Sequence, residues 1–234
     1  MKVVELLEGR ADVLLQRIKQ DCKIYLDMNP LTINHLALYR GISGNLAQSR
    51  LITVRKDRRP RDSTDCMHYA FNEYFKEKFG KPYRSISVFC TGDPDIANEY
   101  AGSGTNHVIF PVGDFDYCWS PQLSDLFGEF EYKLNHNIVN DFHRQLLELP
   151  PDTKLSEEQY NEIQEIEAID PDNYCIELVN YYFNHKPVEY LENQNFEQAI
   201  KSGNEIMIDC DKYYAINQNT YESWILNLAR SSRK

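Results

Sequence analysis

No stretch of the 234-residue chain approaches the roughly 18 consecutive apolar residues that a membrane helix needs. The opening segment "MKVVELLEGRADVLLQRIKQ" lacks the uninterrupted apolar core of a signal peptide, because Glu5, Glu8 and Asp12 break it. A cytoplasmic protein with no membrane partner is the expectation. Cysteine occurs six times, but without a CxxC pair or a histidine at zinc-finger spacing. Scattered thiols fit a reducing compartment. Cys66 and His68 in "TDCMHYAF" are half of a metal site whose other half is missing nearby, and structural zinc takes four ligands, so no metal is expected. Internal repeats and low-complexity tracts are also lacking. An excess of positive charge is absent: the formal net charge is −11, which disfavours nonspecific attraction to nucleic acid or anionic membranes.

What is present is an ordinary globular composition, 42% hydrophobic and 26% charged, on a chain long enough for one sizeable core. One domain spanning 1–234, with an insertion over about 121–200, is the simplest organisation. The charge is unevenly placed. "RLITVRKDRRPRD", from Arg50 to Asp62, holds six basic residues against Asp57 and Asp62, a local balance of +4. From Glu148 to Asp172 nine acids face the single base Lys154, a local balance of −8. Each run has a plain alternative as a solvated face.

Apolar residues at helical intervals predict an amphipathic helix over 2–20. "HLALYRGI" alternates like a strand and ends at Gly41 and Gly44. "TDCMHYAFNEYFKEKFG" reads as a helix with Ser63 or Thr64 as N-cap and Gly80 as its stop. Then come a strand "RSISVFCTG", a short helix "DPDIANEYAG" and a strand "HVIFPVG". Residues 122–200 look mainly helical, before "EIMIDC" and "YYAIN" return to strand character. The expected class is α+β.

One position stands out chemically. Glu205 is set directly against Ile206, Met207 and Ile208, and no base is nearer in sequence than Lys201. It is either part of a solvated turn before a strand or a carboxylate held at the mouth of a cleft.

Three features in chain order resemble the ADP-ribosyltransferase family, in its branch with an Arg, a Ser-containing strand motif and a Glu. Tyr39-Arg40-Gly41 matches the aromatic-Arg-Gly element that ends the first core strand. "SVFCTGDPDIANEYA" supplies Ala97 and Tyr100 in place of the Ala-x-x-aromatic helix that follows the second element, a Ser-Thr-Ser-like strand. Glu205-Ile206-Met207-Ile208, followed by Tyr213-Tyr214, matches the Glu-Ile-x-Ile strand and its successor. The resemblance touches residues 36–112 and 200–217. It implies a split β-sandwich with an N-terminal helix and a largely helical insertion, and NAD as substrate without a metal. It also implies a mono-ADP-ribosyltransferase of the kind found among bacterial toxins and phage proteins, acting in phage–host conflict. Arg40 would hold the NAD phosphates, and Glu205 and Ser87 would join it in catalysis. Tyr39, Gly41, Ser85, Ser87, Phe89, Thr91 and Tyr100 would line the NAD site.

The chemistry asks for the same residue types. Cleaving the nicotinamide–ribose bond develops positive charge on the ribose, so a carboxylate on its 2′-hydroxyl gains value as the bond lengthens. A planar guanidinium suits a pyrophosphate through paired charge-assisted hydrogen bonds. Ser85 and Ser87 would alternate onto one strand face.

Two departures qualify the match. Aligned by distance to Ala97, the Ser-Thr-Ser triplet falls on Phe89-Cys90-Thr91; aligned by residue type, it falls nearer Ser85-Ile86-Ser87. Family members that modify arginine carry a Glu two residues before the catalytic one, where this chain has Gly203. The acceptor is therefore open among protein, RNA, DNA and water, the last making an NAD glycohydrolase. Arg55, Arg58, Arg59 and Arg61 are the candidates for guiding a nucleic-acid acceptor. The insertion would recognise a target, an antitoxin or a regulatory partner. A non-catalytic acidic module that blocks a basic partner is the reading from a different class.

Overall fold

The computed structural model describes residues 13–31, 36–43, 49–60, 63–132 and 136–231. Its strands form two four-stranded sheets with only antiparallel pairings among the described residues, and helices make up much of the rest of an α+β chain. The chain divides into two units: 1–55, 87–121 and 190–234 make the first, and 56–86 with 122–189 make the second.

The first unit opens with a helix α1 over 13–21 and α2, Lys23–Met28. The start of the helix expected over 2–20 lies outside the described residues. One sheet has the order β1 (Tyr39–Ile42), β4 (Thr105–Val112), β8 (Lys212–Asn217), β2 (Arg50–Thr53). The other runs β3 (Val88–Cys90), β7 (Ile206–Asp209), β5 (Asp116–Trp119), β6 (Leu191–Glu192). Central strands are buried in continuous runs, Asn106 to Pro111 on β4 and Ile206 to Ile208 on β7, because each is covered on both faces. Tyr25 on α2 is fully buried, with its ring 5.6 Å from Phe110 and 5.9 Å from Phe196. Phe196 belongs to α10, Phe196–Ser202. Helices α5 (Pro94–Ala101) and α11 (Gln218–Ser231) complete this unit.

The second unit is helical: α3 (Asp65–Phe79), α4 (Tyr83–Ile86), α6 (Leu126–Tyr132), α7 (His136–Leu146), α8 (Glu157–Ile169) and α9 (Pro171–His185). Thr64 caps α3 by accepting from the Met67 amide, and Gly80 closes it in a left-handed conformation at φ 74°. The Tyr74 ring on α3 stacks on Phe183 of α9 at 3.9 Å. The acidic run is largely α8 and the start of α9, with a capping box at Ser156 and Gln159. Glu157 and Glu158 then stand in the first turn, where the helix dipole favours negative charge.

The expected strand "RSISVFCTG" is corrected in part. Only Val88–Cys90 is strand, and Tyr83–Ile86 is helical. The Ser85 amide bonds both the Pro82 carbonyl and Asn72 Oδ1, which curls the backbone before β3 can begin. Ser85 and Ser87 therefore do not share a strand face.

Candidate active site

The edge strands of the two sheets meet at one point. Tyr39 on β1 and Thr91, just past β3, exchange backbone hydrogen bonds of 2.7 and 2.9 Å. Arg40 reaches across the same gap and donates from Nη1 to the Phe89 carbonyl at 2.8 Å. That bond fixes the plane of a half-buried guanidinium carrying five N–H donors.

Glu205 enters from the neighbouring strand. Cys90 pairs with Ile206 across β3 and β7, so Glu205, one residue earlier, lies across from Thr91. Its loop is tied down twice. Thr91 Oγ1 donates to the Gly203 carbonyl at 2.5 Å and accepts from the Asp93 amide at 3.0 Å. Asn204 Nδ2 donates to the Ser120 carbonyl at 2.9 Å. Glu205 is half-buried, and the residues that follow it, Ile206 to Ile208, are fully buried. Glu205 thus directly precedes the buried core strand β7.

Gly203 has its own reason. Its φ is 72°, and a Cβ there would lie 3.3 Å from the Cβ of Asp93. A Glu at this position would be strained in the backbone and crowded by the cap of α5.

Helix α5 seats itself on β1 through small residues. Ala97 and Ala101 are buried, and a Cβ on Gly41 would be 2.1 Å from the Ala97 carbonyl oxygen. Asp93 caps the helix by accepting from the Asp95 and Ile96 amides. Tyr100 is 57% exposed on the outer side of this helix.

Burial pushes the Cys90 thiol up to about 12, against a smaller opposing pull from Arg40, so it stays protonated and is no nucleophile. Burial also raises the Tyr39 phenol, helped by Glu222 on α11. No disulfide links the six cysteines. Among the described residues no group of three or more His, Cys, Asp or Glu is placed to hold a metal.

The sequence-derived candidates divide as follows. Tyr39, Arg40, Gly41, Phe89, Thr91 and Glu205 come together where β1, β3 and β7 meet. Ser87 lies at the other end of β3, four residues from Thr91 or roughly 13 Å along a strand. Its hydroxyl is buried and has no hydrogen-bond partner. Ser85 belongs to the second unit, where its hydroxyl meets Asn72 Nδ2 at 2.8 Å and His68 Nε2 at 3.0 Å. Arg55 is exposed at the end of the first unit, Arg58 and Arg59 line a cavity of the second, and Arg61 lies outside the described residues.

Sequence reasoning missed the part played by Thr91 in holding the Glu205 loop. Its spacing to Ala97 was the available signal. It also missed the cavity, whose α3 residues Asp65, His68, Tyr69, Asn72 and Lys76 recur at helical intervals. Comparison with protein-family models, curated proteins and solved structures finds no significant match.

Proposed function

We propose that the protein is a mono-ADP-ribosyltransferase that transfers ADP-ribose from NAD to a macromolecular acceptor, on an ADP-ribosyltransferase-like split β-sandwich. The observation that carries this reading is the junction of the two sheet edges. It sets the Arg40 guanidinium, anchored on the Phe89 carbonyl, beside the strand position that faces Glu205. Arg40 holds the pyrophosphate of NAD, and Glu205 accepts a hydrogen bond from the 2′-hydroxyl of the nicotinamide ribose. The bond from ribose C1′ to the nicotinamide nitrogen breaks, and its electron pair neutralises the pyridinium. The positive charge left on the ribose is stabilised by the nearby carboxylate, and the acceptor's lone pair closes on C1′ as its proton leaves. Thr91, not Ser87, takes the positioning role expected of the strand-motif serine, because its hydroxyl is what fixes the loop before Glu205.

Gly203 favours acceptors other than arginine, since no side chain can be added there without strain. Water is the acceptor in the second reading, an NAD glycohydrolase, for the same reason. Incubation with NAD labelled in its adenylate, followed by counting of protein, RNA, DNA and free ADP-ribose, separates these acceptors. Nicotinamide release with label in a macromolecule supports the transferase. Release with label only in free ADP-ribose supports the glycohydrolase, and no release overturns both.

A further inference from the structure

The second unit contains a cavity of about 530 Å³ that the reaction above does not use. One wall is the α3 stripe of Asp65, His68, Tyr69, Asn72 and Lys76; another is the segment Lys56 to Pro60; Pro82 and Ser85 complete it. The segment is pinned to α4 by the Arg58 amide, which donates to the Ser85 carbonyl at 3.1 Å. Lys56, Arg58 and Arg59, three of the six bases of the island, therefore stand on the wall of a cavity.

The floor is a neutral, oriented network. Asn72 is buried and donates from Nδ2 to Ser85 Oγ, and the same hydroxyl is hydrogen-bonded with His68 Nε2 at 3.0 Å. Burial first, and then Arg84, hold the imidazole below the ordinary histidine value, while its backbone bond at Arg58 works the other way. Lys76 is ion-paired with Glu73 at 2.6 Å, so the net charge of the rim comes from Lys56, Arg58 and Arg59 against Asp57 and Asp65, a balance of +1 in a protein of −11. A concave positive site in an acidic protein focuses its field on anions. Tyr69 is 44% exposed and offers an aromatic face at the same site. The volume lies within the roughly 300–1,000 Å³ of small-ligand pockets.

We propose that this cavity binds a nucleoside phosphate, with the phosphate against the Lys56, Arg58 and Arg59 rim and the base on the Tyr69 ring. Cations and a stacking ring together select this chemistry over an inorganic anion or an uncharged nucleoside. The ligand is either a free nucleotide or one unit of a single strand.

Calorimetry on the full chain carrying Arg40→Ala tests it, because that change weakens phosphate binding at the candidate NAD site, and the cavity variants below assign the AMP binding that remains. The probes are AMP, adenosine, inorganic phosphate and a single-stranded RNA octamer. AMP should bind saturably and at least about tenfold more tightly than adenosine or phosphate. Arg59→Gln and Tyr69→Ala, both at exposed positions, should each weaken AMP by about fivefold or more while thermal unfolding stays unchanged. Tighter binding of the octamer than of AMP assigns the single strand as source, and the reverse order assigns the free nucleotide. No saturable AMP or octamer binding up to about 5 mM, or equal affinity in the two variants, overturns the proposal. NAD cleavage by the wild-type protein is measured in parallel, so a failed reaction with intact AMP binding removes only the transferase reading.

Discussion

A single side chain decides most of the proposed chemistry. Glu205→Gln keeps shape and hydrogen bonding but removes the charge that the developing ribosyl cation requires. Turnover of NAD should fall about a hundredfold or more at unchanged NAD affinity, the scale for one preorganised electrostatic group. Arg40→Ala should act on binding: loss of a charged hydrogen-bonding group of about 1.5–3 kcal/mol raises KM for NAD roughly 10- to 150-fold, read from initial rates across NAD concentration. Thr91→Val is close to isosteric yet deletes the bond to Gly203 and the acceptor for the Asp93 amide. Folding stability should drop by about 1–3 kcal/mol in urea, with Thr91→Ser restoring most of it. At this scale Arg40 and Glu205 stood out in sequence because an arginine inside an apolar strand pattern and a carboxylate before an apolar run are both unusual, although Arg40 is the second residue of β1 and not its end. Thr91 did not stand out, because a hydroxyl that bonds a carbonyl 112 residues away leaves no local mark in sequence.

Secondary-structure elements hold the site through close approach more than through polar bonds. Helix α5 lies against β1 at Gly41, where even one methyl group would collide with the Ala97 carbonyl. Gly41→Ala should therefore cost about 3 kcal/mol, at the upper end of overpacking penalties because the obstacle is backbone, and the urea midpoint should fall accordingly. An unchanged midpoint would mean that α5 does not pack as described. The helix signals at Thr64, Gly80 and Asp93 were readable because caps are local chemistry. The failure at "RSIS" has the opposite cause. Alternating Ser and Ile mimic a strand, but Asn72, thirteen residues away, supplies the bonds that stabilise the helical turn. β2 escaped notice because Arg50, Leu51 and Thr53 are all exposed on a short edge strand, which erases the alternation.

At the scale of the whole molecule, the order of helix-like and strand-like segments indicates mixed α+β structure and a mainly helical stretch over 122–200. That the second unit also draws on 56–86 could not be read from sequence, because it depends on α3 packing against α9 across about a hundred residues. This unit carries a built-in acid sensitivity. His68 and His143 are both held below the ordinary histidine value by burial, His143 beside the Tyr174 hydroxyl at 2.7 Å. Unfolding lets them take up protons, so their contribution to stability is present above about pH 6.5 and is lost as pH falls from there toward the folded-state values. Thermal unfolding at pH 7.5 and 5.5 should show a larger acid-induced loss in the wild type than in a His68→Gln, His143→Gln double variant. Equal losses would show that neither imidazole is linked to folding.

The most direct test of the central claim is release of nicotinamide from NAD by the 234-residue chain and by its Glu205→Gln variant, with folding of both verified by circular dichroism. The proposed reaction requires measurable release by the wild type and a rate lower by about two orders of magnitude in the variant. Equal rates in the two folded proteins, or no release by the wild type in the presence of protein, RNA or DNA acceptors, would contradict it.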